Sequence, residues 1–470
     1  MTCRRVIDWL FNSTHILRAS LLPTVFISML ILGAADFHSC FAAEQGTTDT
    51  TDLAAPIRDL EMLTLDQAVA IALREQPKIL AQRARYDREK TSIERERSRM
   101  LPYIQAAGVG NLGPTVINGF NGLFVAASRG NFGFDVNARM TLFDFGANWH
   151  RLKASKVDVQ RSLQDVQIER AQIILIAKLA YLKVLEALEL RKVAEQDVAN
   201  RTLLARYTKE TFETGLKSKL DWQQSEVDLA QAMQALEERK RQVELAYNAL
   251  NESMGREPGK RYKVVDPSQP APPVESVSSM LEEGKKFRPC LIAAVKKIEA
   301  AKERVTVARR EFLPKIDAIG GGGYLDDSAI LQGNQNRYGS GAVIAYAPLF
   351  TGGKLEADLA AARASAREAK EDHHQMELKI AREIFDAFES LKATYTKYQI
   401  SEQQVSHAKQ TQQYANERYK AGLGFYLEVS AAETLLINAL AEQTRNRFDY
   451  ASVDAVLQYA RGKDYLAYKM

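Results

Sequence analysis

Cysteine is almost missing: the 470 residues hold three, Cys3, Cys40 and Cys290. That excludes a scaffold held by disulfides. Long apolar runs are missing too, the longest near-uncharged one being Leu21 to Ala35. A polytopic helical membrane protein needs about 20 apolar residues per span, and a mean hydropathy of −0.28 also speaks against that class. No charge sign dominates. The 63 Lys and Arg against 59 Asp and Glu leave a net +4, too small an excess for a nucleic-acid partner. With 26 Gly and 13 Pro, collagen and wholesale disorder are excluded as well. What is present, 46% hydrophobic residues over a long chain, first reads as a large soluble protein of roughly three domains. The patterning revises that reading.

Arg4, Arg5 and Arg18 precede the apolar run Leu21–Leu32, and small residues follow at Gly33-Ala34-Ala35 and Ala42-Ala43. Residues 1–43 thus read as an export signal with its cleavage region. A single anchor helix is the alternative, although the run is short of a full span. Residues 44–62 follow as a polar tail. Cys40 invites a lipid anchor, but Phe37-His38-Ser39 puts bulky or polar residues where a small-aliphatic pattern is expected. Removal of the signal leaves Cys290 as the one thiol, so export brings no disulfide.

The strongest signal is an internal repeat. Gln76-Pro77 recurs as Arg288-Pro289, and Met100-Leu101-Pro102 as Phe312-Leu313-Pro314. Further along, Leu142-Phe143 recurs as Leu349-Phe350, Gly215 as Gly422, Asp221 as Glu428, Glu226 as Glu433 and Gly255 as Gly462. Two copies, 63–257 and 274–462, flank a linker, 258–273, that carries five of the 13 prolines. Residues 463–470 form a C-terminal tail. Each copy begins with a helix of about 35 residues interrupted at Pro77 or Pro289. A Gly- and Asn-rich segment comes next, then a long helical hairpin.

From Ala147 to Met254 there is no proline and one glycine, Gly215; from Lys354 to Arg461 the glycines are Gly422 and Gly424 alone. An unbroken helix from Ala147 to Thr214 would be about 100 Å long, which calls for coiled-coil packing. Leu152, Val159, Val166, Ile173, Ala180, Ala187 and Ala194 recur every seven residues, with Leu163, Ala177, Val184, Val198 and Ala205 as a second seam. The same frame continues in copy two through Leu359, Ala366, Ile380 and Ala387. Lys178, Lys183, Glu186 and Glu189 keep the densest apolar stretch out of a membrane. The glycine sites predict hairpin tips near 215–221 and 422–428, where a residue free to adopt positive φ ends the helix.

Between the helices the period changes. Phe132, Phe134, Val136, Ala138, Met140 and Leu142 alternate with Gly133, Asp135, Asn137, Arg139 and Thr141. That is the length and pattern of a strand crossing a bilayer with one face to lipid. Tyr103 to Leu112 is its expected hairpin partner, so that copy one holds a hairpin over 103–142. Copy two offers Lys315–Tyr324 and Tyr338–Leu349, a hairpin over 315–349 with weaker alternation. Four strands cannot close a membrane barrel, and open edges are not tolerated in hydrocarbon. Either the sheet is soluble or several chains pool their strands.

In this order and duplication the chain resembles the TolC-type outer-membrane efflux channels over residues 63–462. The matching features are Leu63-Thr64-Leu65-Asp66-Gln67-Ala68, the paired Leu-Pro marks and Leu142-Phe143-Asp144-Phe145-Gly146. Leu349-Phe350-Thr351-Gly352-Gly353 and the segments beginning Gly215-Leu216 and Gly422-Leu423 complete the set. The resemblance implies a mainly α fold with a small β part. Long antiparallel coiled-coil helices would form an α-helical barrel, and four strands per protomer would join a shared trimeric 12-stranded transmembrane β-barrel. It implies a homotrimer in the outer membrane, in contact with its lipid and with the tunnel projecting into the periplasm. Such a channel has no catalytic centre and no cofactor. It is the exit duct of a tripartite efflux or type I secretion system, fed by an inner-membrane pump of RND, ABC or MFS type through a periplasmic adaptor.

The family's tips close the entrance and dock the adaptor, which assigns those roles here to Gly215, Leu216, Ser218, Gly422, Leu423 and Gly424. Gate carboxylates carry over to Asp221 and Glu428. The family's second gate carboxylate and its tip arginine fall on Ala431 and Gly424, so the gate ties are altered. Three copies of Glu428 around an axis would form an acidic ring that attracts cations. The other reading is an exported coiled-coil protein without a pore, a periplasmic adaptor or structural spacer. Neither copy needs Gly- and Asn-rich strand pairs for that role. No metal spacing supports His373-His374, which point to different sides of a helix.

Overall fold

The computed structural model describes residues 61–111, 115–118, 124–127, 131–266, 270–272, 276–326, 337–464 and 468, all within one compact unit, Leu60–Met470. The export signal, Cys40 and nearly all of the polar tail lie outside the described residues. So do parts of the linker, the C-terminal tail and the strand loops.

In chain order the elements are β1 (Met62–Leu63), α1 (Leu65–Glu75), α2 (Pro77–Ser98), β2 (Tyr103–Asn111), β3 (Thr115–Asn118), β4 (Phe124–Ala127), β5 (Asn131–Phe143), α3 (Ala147–Glu213) and α4 (Lys219–Ser253). Then follow β6 (Lys263–Val264), α5 (Val277–Phe287), α6 (Pro289–Arg310), β7 (Lys315–Asp326), β8 (Arg337–Tyr346), α7 (Lys354–Lys420) and α8 (Tyr426–Arg461). The structure is mostly helical. No helix among the described residues is long and apolar enough to cross a membrane.

Helices α3 and α7 have 67 residues each. Pro77 and Pro289 stand at the first position of α2 and α6, where a missing N–H costs nothing. The opening motif has a local cause: Thr64 caps α1 by accepting Gln67 N–H, and the Gln67 side chain returns to Thr64 N–H. Asp144 of the Leu-Phe-Asp-Phe-Gly motif accepts Gly146 N–H at 2.9 Å and Asn148 N–H at 2.7 Å, capping α3.

The helices pack as one layer. α3 lies between the stacked pair α2 and α4 on one side and the stacked pair α6 and α8 on the other, with α7 at the far edge. Leu152, Val159, Val166, Ile173, Ala187 and Ala194 are buried along α3, as are Ala177, Val184 and Ala205 of the second seam. Leu163 is an exception at 40% exposure, because the seam shifts as α3 exchanges neighbours along its length. The α7 edge leaves Leu378, Phe385, Ile400 and Tyr414 exposed, and the α2/α4 edge leaves Leu80, Met233 and Leu245.

Two features escaped the periodicity. Met62–Leu63 pairs in parallel with Lys263–Val264, so the polar tail ends in a strand rather than at it. The buried Tyr181 hydroxyl fixes this pair: it lies 2.8 Å from the Leu63 carbonyl and 2.7 Å from that of Val265, and accepts Val265 N–H. The segment between β2 and β5, read as loop, contains the antiparallel pair β3–β4. The last strand is also shorter than expected. β8 stops at Tyr346 rather than Leu349, since Pro348 has no N–H for a ladder, and Leu349 and Phe350 stand exposed.

Candidate functional site

The four main strands form one antiparallel sheet in the order β2-β5-β7-β8. Register and alternation sort its side chains. Gln105, Asp135, Asn137, Arg139, Asp317 and Ser340 share one face. The opposite face carries Ile104, Phe134, Val136, Ala138, Met140 and Val343, with Arg337 at the loop end. Phe134, Val136 and Val343 are exposed on it, while Ala138 and Met140 are half-buried. Leu142 falls in a bulge and has no partner on β7, so the alternation ends at Met140. Phe132 belongs to β5, but its side chain lies outside the described residues. The polar face is tied by Arg139, whose Nη2 donates to Asp317 Oδ2 at 2.6 Å. Gly321 explains the weak alternation of copy two: a Cβ there would meet Asn137 Oδ1 at 2.3 Å.

The helical layer has a groove of about 780 Å³ lined from α2, α3, α6 and α7 together, including Glu89, Asp158, Arg304 and Asp358. The groove runs along one face of the helical layer. Its charges are paired in part, with Arg304 bonded to Asp158.

At the far end the helices reverse. Gly215 and Gly422 both have positive φ, +78° and +75°, with open space around them. The turns close on Leu216 N–H to Thr211 O and Leu423 N–H to Arg418 O, each 2.9 Å. Ser218 caps α4 by accepting Asp221 N–H. Leu216, Leu220, Leu423, Phe425 and Leu427 cluster at these turns, each at least 73% exposed.

The two gate candidates are placed differently. Glu428 sits in the first turn of α8, partly exposed, with Oε2 3.8 Å from Arg418 Nε. Gly424 makes room for that pair: a Cβ there would lie 3.2 Å from Glu428 Oε2. Asp221, in the first turn of α4, is a tie between hairpins. Its Oδ2 accepts the Tyr419 hydroxyl at 3.3 Å, and Ser218 donates to Oδ1 at 3.0 Å. Lys217 Nζ stands 4.1 Å above the Tyr419 ring. Burial, followed by the Asp221 charge, pushes the Tyr419 phenol well above its ordinary value, which keeps it a donor.

Sequence reasoning missed Tyr419, although a signal existed: both copies place an aromatic three residues before the tip glycine, Phe212 and Tyr419. Phe212 stacks on Trp222 with ring centroids 5.5 Å apart. It also missed a buried polar cluster behind the tips, where Asp228 accepts the Tyr426 hydroxyl at 2.9 Å. Among the described residues no group of His, Cys, Asp and Glu is placed to hold a metal ion.

Known proteins share this arrangement. Outer membrane protein OprJ of Pseudomonas aeruginosa is 24% identical over 426 residues, 87% of this chain and 85% of that one. The outer membrane protein VceC of Vibrio cholerae superposes with a TM-score of 0.73 at 22% identity, over 85% of this chain and 96% of that chain. The CmeC outer membrane channel of Campylobacter jejuni gives 0.73 at 19% identity, over 85% of each. The profile of the outer membrane efflux proteins matches residues 68–256 and 281–462. With its two matched halves, its mostly helical layer and its four-stranded sheet, the chain belongs to the outer membrane efflux protein family.

Proposed function

We propose that three copies of this chain form an outer-membrane channel that serves as the exit duct of a tripartite efflux or type I secretion system. The observation that carries it is the sheet β2-β5-β7-β8, which among the described residues has one apolar face and no partner on the outer edge of β2 or of β8. A solvent-exposed sheet of this kind is an aggregation hazard; the same sheet, with β8 of one copy paired to β2 of the next, closes a twelve-stranded barrel with lipid on its apolar side. The exposed apolar residues on the α7 edge and on the α2/α4 edge support the same closure in the helices, which then surround a tunnel in the periplasm. Leu216, Leu423 and the neighbouring exposed residues at the tips are the docking surface for a periplasmic adaptor, through which an inner-membrane pump of RND, ABC or MFS type delivers substrate. Asp221 and Glu428 act in closing the entrance, Asp221 by its tie to Tyr419.

Fractionation and reconstitution test the reading. The expected result is a detergent-extracted outer-membrane species of three chains that dissociates on heating in SDS and conducts ions across a planar bilayer. A water-soluble monomer without conductance would instead favour a coiled-coil spacer without a pore.

A further inference from the structure

At the foot of the sheet a recess of about 340 Å³ is lined by Arg139, Thr141 and Asp317 of the polar face together with Arg99, Arg151 and Lys315. The last three also line the groove of about 780 Å³ in the helical layer, so that groove and the polar face lie on one side of the chain. Further along, α3, α6 and α7 line a second groove, of about 730 Å³. On α3 the lining residues Arg151, Ala154 and Asp158 of the first groove lead on to Arg161, Asp165 and Ile168 of the second, in steps of three and four. The lining of α6, from Arg304 to Lys297, and of α7, from Asp358 to Asp372, keeps its helix face in the same way. The second groove therefore opens on the side of the sheet's polar face, which the duct reading turns toward the conduit. It lies about 35 Å along α7 from the start of that helix.

Its floor and its rim differ in chemistry. Ile168, Cys290, Ala293, Ala294 and Met376 make the floor apolar, and a further recess of about 240 Å³ shares Ile168, Cys290 and Met376 and reaches Tyr459. The rim holds four basic side chains, Arg161, Lys297, Lys379 and Arg382, against two acidic ones, Asp165 and Asp372. Only Lys297 is tightly held, donating to Asp372 Oδ2 at 2.7 Å. Arg161 stands 3.5 Å from Asp165 and 3.8 Å from Asp158, Lys379 4.0 Å from Glu383, and Arg382 3.9 Å from Asp386. Each of these loose pairs joins residues of one helix near the surface, where such pairs contribute little and exchange readily. Lys379 and Arg382 are mostly exposed. A groove of this volume with an apolar floor suits a small organic molecule, and the basic excess on its rim selects negative charge. The sign is the reverse of that expected at the entrance, where Glu428 would attract cations.

We infer that this groove binds amphiphilic organic anions, with the apolar part over Cys290 and Met376 and the acid group among Arg161, Lys379 and Arg382. The inference rests on the duct reading above for its place on the conduit wall, where the groove is a stopping point for such molecules on their way out.

Cys290, a free thiol half-buried on the floor, reports occupancy. The full-length chain in phospholipid nanodiscs is treated with N-ethylmaleimide, and modification of Cys290 is followed by peptide mass spectrometry. Millimolar naphthalene sulfonate is expected to slow that modification at least threefold, and the same ring carrying trimethylammonium to leave it unchanged. Arg161→Gln combined with Lys379→Gln should abolish the protection without changing the rate measured in the absence of the anion. In planar bilayers the sulfonate should lower the current through the parent channel and not through the double variant. The comparison of the two ions on the parent chain carries the test if the double variant does not assemble. Equal protection by both ions, protection by neither, or full protection in the double variant would overturn the anion groove and leave the duct standing. A Cys290 closed to the maleimide before any ligand is added would overturn it too. Protection with no effect on the current of a conducting channel would overturn the groove's place on the conduit wall. A parent chain that forms no channel would overturn the duct, while protection of Cys290 would still decide the chemistry of the groove.

Discussion

Gln76 and Arg288 make the same bond in the two halves of the chain. Each precedes a proline, and each caps the carbonyl end of the return helix of its own half. Gln76 Nε2 donates to Glu252 O at 2.9 Å and Ser253 O at 3.0 Å, and Arg288 Nη1 donates to Tyr459 O at 3.1 Å. The short helix of each half is thereby stacked on the end of the longer return helix. Arg288 also pairs with Glu383 at 2.9 Å while nearly buried.

Removing these caps should cost unequal amounts. Gln76→Leu is expected to lose about 1 kcal/mol, the net worth of a hydrogen bond. Arg288→Met removes the ion pair with Glu383 as well and should lose about 3 kcal/mol. Unfolding of the detergent-solubilised trimer followed by circular dichroism would show the larger drop for Arg288→Met; equal drops would refute the difference.

Gly255 and Gly215 share a left-handed backbone but not their surroundings. A Cβ at Gly255 would sit 2.8 Å from Glu75 O, whereas nothing lies within 4 Å of Gly215. Gly215→Ala should cost about 1 kcal/mol from backbone strain alone, and Gly255→Ala clearly more. Matching thermal shifts in the two variants would contradict this.

Glu75 gives a pH signature. The hydrogen bond from Arg256, at 2.9 Å, together with that from Arg74, holds its carboxyl down to about 2. A depressed carboxyl contributes stability that is complete above the unfolded value of about 4.3 and is lost as the pH falls through the folded value. Apparent unfolding temperature should therefore fall between about pH 4.3 and about pH 2, and Glu75→Gln should flatten that part of the curve. An unchanged slope in the variant counts against the pair.

Glu428 is expected to act on cations in the entrance. Glu428→Gln should weaken cation block and the pH dependence of single-channel conductance in a planar bilayer. If both are the same as in the parent over about pH 4 to 8, the residue has no part in the gate.

Much of the helical architecture was legible because a coiled-coil seam and an unbroken long helix leave marks that need no tertiary context. Leu152 to Ala194 recur every seven residues, and the buried positions of α3 follow them. The duplication located the two tips, since Gly215 and Gly422 do the same backbone work. The polar cluster behind the tips, where Arg201 Nη2 donates to Thr434 Oγ1 at 3.1 Å and Asp228 accepts Tyr426, was hidden from that comparison: the copy-two counterparts of Arg201 and Asp228 are Ala408 and Leu435. A trace existed nonetheless. The next members of the seven-residue series after Ala194 are Arg201 and Thr208, polar residues where the seam asks for apolar ones, and Thr208 is fully buried with its hydroxyl 2.6 Å from Ser225. The β1–β6 pair was illegible for a different reason. Two residues per strand are too few to show a period, and their pairing is set by Tyr181, far away in sequence.

In the proposed trimer, the mismatch between Arg201 and Ala408 would give two kinds of seam. A ring built from six unfused identical repeats would bear the same bonds at every junction and would yield at all of them alike. Fusion of two diverged copies keeps Arg201 and Asp228 at the junction inside each protomer; the equivalent positions at a junction between protomers would hold Ala408 and Leu435. In the proposed trimer, stiff and compliant seams alternate around the mouth, and strain applied at the tips is directed to three of the six.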